Sequence, residues 1–528
     1  MLAAMNDASP SALNDQLRHE ILRARERVYH FGNPTPLEPL GLPALDIWVK
    51  REDLSPIKAY KWRGAGNRIA TLSPTERASG VVTASAGNHA QGVALAARAL
   101  DIPARIYMPR STPLVKQQAV SKHGGDCVKV ILTGDSYDDA MVAAHHDQEE
   151  TGAYYVHAYD DLYVMAGQGT LADEIVLSGK GPFDIAYLQI GGGGMAAGVS
   201  EWLRSYWPDI ELVGVEAEGQ AAMHAAMDAQ QPVTLDQLDL FCDGTAVRRI
   251  GGLPFQILQY QLDRLVCVTN DQVSHAIRTL WENLRCISEP SGALGLAAAL
   301  QESPQLKNKR ALVILCGANI DFLQLGHIAS SAGAGPRHQL TLTICISERI
   351  GAMSDLLNHA FQNLDIIDFQ YGKTDAQQAW PVFTLSSHDP TDLDQLPRRL
   401  DSLGHAWKIL EDSVDLRFRA IPLRSELLSH PIFLHLEFYE RPRALLDFLD
   451  QHIHQSASLC YFNYRQTGER IGRALIGIDF PTAGHHQTFL TSLPPHGEGY
   501  RLCQPLSPAS TNRLMGQFPA RERSSMHP

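Results

Sequence analysis

Between about residue 45 and residue 325 short β-branched runs alternate with helical stretches, and this restricts the fold more than any other feature of the chain. Ile47-Trp48-Val49 reads as a strand and Val81-Val82-Thr83 as another, followed by a helix from His89 to Leu100. Ala104 to Met108, a helix through Pro113-Leu114-Val115-Lys116, and Val128 to Leu132 come next. Later strands are Ile185 to Ile190, Leu212 to Val215, Leu265 to Val268 and Ala311 to Leu315. Such alternation predicts an α/β fold with a mostly parallel sheet covered on both faces. Ligands of such sheets sit at the carboxyl ends of strands, where helix N-termini present free N–H groups.

Three turns fall at such strand ends. The first, Thr83-Ala84-Ser85-Ala86-Gly87-Asn88-His89, is built of small residues that let a ligand approach the backbone. The second is Gly191-Gly192-Gly193-Gly194-Met195, four glycines between a strand and a small-residue helix, which makes an anion cradle. A glycine turn alone also fits a dinucleotide site or a plain tight turn. The third is Cys316-Gly317-Ala318-Asn319. Upstream lies Lys61, in Ala59-Tyr60-Lys61-Trp62-Arg63-Gly64-Ala65 after Lys50-Arg51-Glu52-Asp53. Most lysines are solvated surface charges. A lysine amine can nevertheless form a Schiff base with an aldehyde, which makes Lys61 a natural tether for pyridoxal phosphate. Read without that context, Asn88 is a helix N-cap and Cys316 a small buried hydrophobe.

Composition narrows the partners. A net charge of -13 repels nucleic acid and anionic membrane. The 8 cysteines are scattered without a Cys-x-x-Cys pair, which fits reduced thiols in the cytoplasm better than disulfides or zinc. The adjacent pairs His145-His146 and His485-His486 point in different directions on a helix or strand, so no metal site is expected. No leader or membrane-spanning stretch is read, and 528 residues should divide into two to four domains.

Taken together, Lys-Arg-Glu-Asp, Tyr-Lys-Trp-Arg-Gly-Ala, Ser-Ala-Gly-Asn-His-Ala-Gln-Gly, the tetraglycine, Glu289-Pro290-Ser291-Gly292-Ala293 and Cys316-Gly317-Ala318-Asn319 resemble the tryptophan-synthase-β class of pyridoxal phosphate enzymes. Within it the resemblance is to biosynthetic threonine ammonia-lyases, and it covers nearly the whole chain. It implies a two-lobed fold type II catalytic domain over residues 1–328. It also implies that Lys61 carries the cofactor and moves the α-proton, and that Asn88 bonds the phenolic oxygen of the ring. Gly191, Gly192, Gly193, Gly194 and Met195 would hold the phosphate through backbone amides, and Cys316 would face the pyridine nitrogen. Ser85, Ala86 and Gly87 would meet the substrate carboxylate. Many relatives carry serine where Cys316 stands; both are neutral.

A small, Gly/Pro-bearing stretch from Ala329 to Pro336 reads as the start of a linker over 329–339. Beyond it the chain repeats itself: Glu348-Arg349 with Ala352, Asp355 and Leu357 recurs as Glu440-Arg441 with Ala444, Asp447 and Leu449. Each copy opens on an alternating strand (Leu342 to Ile346; Phe433 to Phe438), then a helix, then a strand with an aromatic pair, Phe369 and Tyr371 or Phe462 and Tyr464. This predicts two small α+β domains, 340–411 and 431–502, before a loose tail over 503–528. They resemble the tandem ACT-like regulatory domains of the same family. That resemblance implies isoleucine as inhibitor, valine as opposing effector and a homo-oligomer, a tetramer in the family. In the second copy Arg443 follows Pro442 where the family usually has glycine, whereas the first keeps Gly351.

The expected activity is loss of water and ammonia from L-threonine to give 2-oxobutanoate, the first step of isoleucine synthesis, with L-serine also accepted. The alternatives are a sibling such as serine dehydratase or threonine synthase, and a non-catalytic amino-acid sensor that binds phosphate without turnover.

Overall fold

All residues of the strand Ile185–Gln189 are buried, as a strand flanked by helices on both faces must be. The computed structural model that places it describes residues 10–515 apart from 323, 327, 329–337, 348–351, 371–376, 388–389, 411–424, 426–427, 440–447, 449–456, 465–470 and 498. The chain divides into two units, Met1–Ala332 and Gly333–Pro528.

The first unit holds two parallel sheets rather than the single sheet that alternation predicts. The larger is ordered Leu37–Pro39, Asp46–Arg51, Arg310–Leu315, Ile185–Gln189, Glu211–Ala217 and Arg264–Val268. Its neighbours run parallel except for the first pair. The smaller, Val128–Leu132, Ala104–Met108, Val81–Ala84 and Tyr154–Tyr155, is parallel throughout. An apolar run reports that a strand is buried, not which sheet receives it. The Leu37–Pro39 and Tyr154–Tyr155 strands are too short for any periodicity to show.

Helix Leu162–Leu177 packs between the lobes and is buried on nearly every side. Glycines let its neighbours close in. A Cβ on Gly198 would lie 2.3 Å from Met165 O, and one on Gly167 would lie 2.5 Å from Arg63 O. Apolar spacing from Leu13 to Val28 predicts an amphipathic helix; it runs Pro10–Val28 and buries Leu13, Leu17, Ile21, Ala24 and Val28 along one stripe.

In the second unit each repeat forms a four-stranded antiparallel sheet with the same order, second–third–first–fourth strand. The first comprises His338–Ile344, Asp365–Gln370, Val382–Ser387 and Trp407–Ile409, with helices Ala352–Ala360 and Pro390–Ser402 between them. The second comprises His430–Tyr439, Ser458–Tyr464, Ile471–Phe480 and Tyr500–Pro505, with helix Ala483–Ser492 before its last strand. In the first copy this is the βαββαβ arrangement of ferredoxin-like domains. Separate cores support them, one around Leu342, Leu356, Phe383 and Leu396, the other around Leu436, Ile476, Ile478 and Phe480. The linker from Ala329 to Pro336, Glu348-Arg349, Gly351, Tyr371 and the segment from Glu440 to Asp447 with Arg443 lie outside the described residues, as does Leu449.

The tail expected to be loose from 503 departs from that reading. Cys503 belongs to the strand Tyr500–Pro505, which completes the second sheet. Ser507 then caps helix Pro508–Leu514, which sets Leu514 against Phe433, Tyr461 and Leu475 on the sheet's other face. One strand and two helical turns are too little for the period to stand out among the Pro, Ser and Arg that follow.

Candidate active site

Lys61 is placed by the strand end at residue 315. Tyr60 N donates to Cys316 O (3.1 Å), and Ala318 N to Lys58 O (2.9 Å). The Ser55 hydroxyl closes the loop by bonding both N and O of Ala59 at 2.9 Å. Helix Lys61–Ala70 starts there, anchored by fully buried Trp62 and Arg63. Lys61 Nζ donates to Ala158 O at 3.0 Å. Burial draws its amine down to about 8, against the opposing pull of Cys316 and Glu289.

The four glycines join strand Ile185–Gln189 to helix Gly194–Tyr206. Gly193 has φ +89°, the left-handed region glycine tolerates. No side chain fits elsewhere in the turn. A Cβ would come within 2.9 Å of Thr245 at Gly191, 2.2 Å of the Tyr159 ring at Gly192 and 2.7 Å of Tyr159 O at Gly194. The first amides of this 13-residue helix, Gly194 and Met195 among them, open into the turn without intrahelical acceptors.

Asn88 opens helix Asn88–Ala99, but the cap position belongs to Gly87, so the N-cap reading of Asn88 does not hold. Its amide is held by groups remote in sequence: Nδ2 donates to Glu289 Oε1 (2.7 Å), and Asn319 Nδ2 donates to its Oδ1 (2.7 Å). Ser85 N is taken by Tyr107 O (3.0 Å), which leaves Ser85 its hydroxyl, facing Gly87 N at 3.3 Å. A side chain on Gly87 would meet nothing within 4 Å, so the space before this loop is open. Cys316 is buried, and burial, then Glu289, hold its thiol well above the usual range and neutral. His89 Nε2 donates to Val156 O (3.0 Å); burial and then Lys61 lower it to about 3, so it stays uncharged.

Glu289 is the residue that sequence reasoning quoted without giving it a role. Burial, then Asp243, push its carboxyl up to about 7, opposed by Lys116, Asn88 and the Asn319 amide. Asn319 N reaches its Oε2 at 3.1 Å. The only signal was a carboxylate directly before Pro290 at a helix start.

An amine of lowered basicity bonded to Ala158, next to the Tyr159 that crowds a side-chain-free glycine turn at a helix start, suits a lysine-centred enzyme for a phosphorylated aldehyde. The chain belongs to the pyridoxal-phosphate dependent enzyme family, whose model matches residues 28–317. It is similar to L-threonine dehydratase biosynthetic IlvA of Burkholderia multivorans, with 35% identity over 91% of this chain and 96% of that one. The protein of that name from Escherichia coli is also 35% identical, over 90% of this chain and 93% of its own. Among solved structures, the processed form of threonine deaminase isoform 2 from Solanum lycopersicum superposes with a TM-score of 0.58. It is 37% identical and covers 60% of this chain and 94% of its own.

These residues fit pyridoxal phosphate: the turn that a Cβ would fill suits its phosphate, and Lys61 suits its aldehyde. When bound, the cofactor supplies an electron-withdrawing ring that stabilises negative charge at the substrate α-carbon. Only a neutral Lys61 amine can attack the aldehyde. Cofactor uptake by cofactor-free protein should therefore quicken about tenfold from pH 6 to pH 7 and level off above the amine's value of about 8. Borohydride-fixed cofactor, counted against time at each pH, measures it; a rate flat from pH 6 to 9 would contradict the lowered basicity.

Proposed function

We propose that the chain is a threonine ammonia-lyase, converting L-threonine to 2-oxobutanoate and ammonia at the head of isoleucine synthesis. What carries this reading is that relatives named as biosynthetic threonine dehydratases align over about nine-tenths of the chain. The alignment thus takes in most of the repeated region as well as Lys61 and the residues around it.

In this reading Lys61 would hold the cofactor aldehyde, and its Nζ would take the α-proton of the substrate. The lowered basicity of Lys61 keeps a share of amine free for that work near neutral pH. Gly191 to Gly194 and Met195 would hold the cofactor phosphate by backbone N–H, Asn88 would meet the phenolic oxygen of its ring, and Cys316 would face its pyridine nitrogen. Because burial keeps the Cys316 thiol neutral, it leaves that nitrogen without a carboxylate partner. Ala86, Gly87 and the Ser85 hydroxyl receive the substrate carboxylate. Glu289 orients Asn88 by accepting from its amide. The C-terminal repeats serve as an isoleucine sensor, with valine opposing, in a cytoplasmic homo-oligomer.

Assaying threonine and serine side by side, with and without isoleucine, tests this. The expected result is 2-oxobutanoate from threonine and a smaller yield of pyruvate from serine. One methyl group is worth about 1–3 kcal/mol in a pocket, or roughly 10–200-fold in preference. Isoleucine should weaken turnover roughly 5–150-fold, the usual size of an allosteric coupling. Pyruvate alone would place the chain among serine dehydratases, and a flat response to isoleucine would leave the repeats a purely structural role.

A further inference from the structure

A second cluster of ionisable and nucleophilic groups lies at the edge of the large sheet, apart from Lys61. Glu216 and Cys267 stand in register on the parallel strands Glu211–Ala217 and Arg264–Val268, the latter being the sheet's edge. The Glu216 side chain is fully buried. It accepts from Met223 N (2.7 Å) and His224 N (3.0 Å), closing the start of helix Ala222–Ala229, and from His224 Nδ1 (2.7 Å). A carboxylate already engaged by three N–H donors makes a poor metal ligand, and its charge is balanced by the ring. Cys267 and then Glu216 draw His224 up to about 10, against burial, so the ring is an imidazolium at neutral pH.

Cys267 Sγ lies 3.6 Å from His224 Nδ1 and 3.9 Å from Nε2. With Nδ1 also engaged by Glu216 Oε2, the sulfur stands within 4 Å of both nitrogens of the cationic ring. The Cys267 residue is half-buried and the His224 side chain is 34% exposed. Cys127, also half-buried, faces the carboxylate of Asp101 at 3.7 Å, and burial, then Asp101, push its thiol up against the opposing pull of Arg98. A neighbouring cation favours the nucleophilic form of a thiol, and a neighbouring carboxylate disfavours it.

We propose that Cys267, His224 and Glu216 form a thiol-modification site for small hydroperoxides. The Cys267 thiolate attacks one peroxide oxygen; an S–O bond forms as the O–O bond breaks, and the leaving hydroxide takes the proton of His224 and departs as water. Sulfur is oxidised by two electrons to a sulfenic acid, the peroxide is reduced, and His224 is left neutral. Glu216 acts here as a positioning residue that holds the ring protonated against the sulfur.

The test uses the cofactor-loaded full chain at pH 7. Limiting iodoacetamide, followed by peptide mass spectrometry of each cysteine, should label Cys267 at least tenfold faster than Cys127, Cys345 or Cys460. Hydrogen peroxide with dimedone should place the sulfenic adduct on Cys267. His224→Gln should slow Cys267 at least tenfold while Cys127 keeps its rate, which a general loosening of the fold would not do. If Cys267 reacts no faster than Cys127 in the unmodified protein, or if His224→Gln leaves its rate unchanged, the proposal fails; the first comparison needs no variant to fold.

Discussion

Lys61→Ala is expected to lower threonine turnover by at least about 10⁴-fold while leaving the fold in place, because one nitrogen both tethers the cofactor and moves the proton. Structurally the side chain gives little to stability: among the described residues its Nζ makes one hydrogen bond, to Ala158 O at 3.0 Å. Losing one such bond costs about 1 kcal/mol. The helix it opens remains anchored by Trp62 and Arg63, both fully buried. A melting curve close to that of the unsubstituted protein, beside the loss of 2-oxobutanoate in a timed assay, is the expected pair of results. Turnover within a hundredfold of the original would move the chemistry to another residue, and a collapsed melting curve would mean Lys61 supports the fold in a way its hydrogen bonding does not indicate.

The parts of this site that chemistry dictates by residue type were readable in sequence. Only lysine supplies the amine, and only glycine fits where Tyr159 and Thr245 crowd the turn, so Lys61 and Gly191 to Gly194 stood out by identity. What fixes Asn88 was not readable, because Glu289 is 201 residues away and a carboxylate before a proline is common. The Ser85 amide looked available until Tyr107 of the neighbouring strand took it. The same contrast holds in the fold. The helix Pro10–Val28 followed from its stripe of apolar positions, whereas the division into two sheets depends on where long connections return. The repeat was visible as recurring residues, but its strand order is a pairing between elements, which no local pattern records. Short elements, such as the strand and helix that end the second repeat, fell below the length at which a period can be recognised.

Arg63→Leu should destabilise the first unit by about 3–5 kcal/mol, the cost of leaving a buried charge without its partner. The Arg63 side chain is wholly buried. It donates to Glu52 at 2.8 and 3.0 Å, to Glu174 at 2.6 and 3.0 Å and to Thr170 Oγ1 at 3.1 Å. With Lys50, which bonds Glu174 and Thr35 O, the set holds two cations and two carboxylates and is neutral. Leucine removes one cation and strands the excess negative charge. Its size is similar, so packing alone would not account for a loss this large. The pH dependence separates the two explanations. Burial by itself would raise Glu174, and it is Arg63, then Lys50, that hold it below its ordinary value. In the unsubstituted protein a depressed carboxylate contributes stability above its unfolded value, and that contribution is lost as pH falls. Without Arg63 the buried carboxylates should move upward, so that acid protonates and relieves them. The gap between variant and parent should therefore be widest at pH 8 and narrow toward pH 5, as read from urea unfolding at each pH. A gap that stays constant across that range would assign the cost to packing and not to charge.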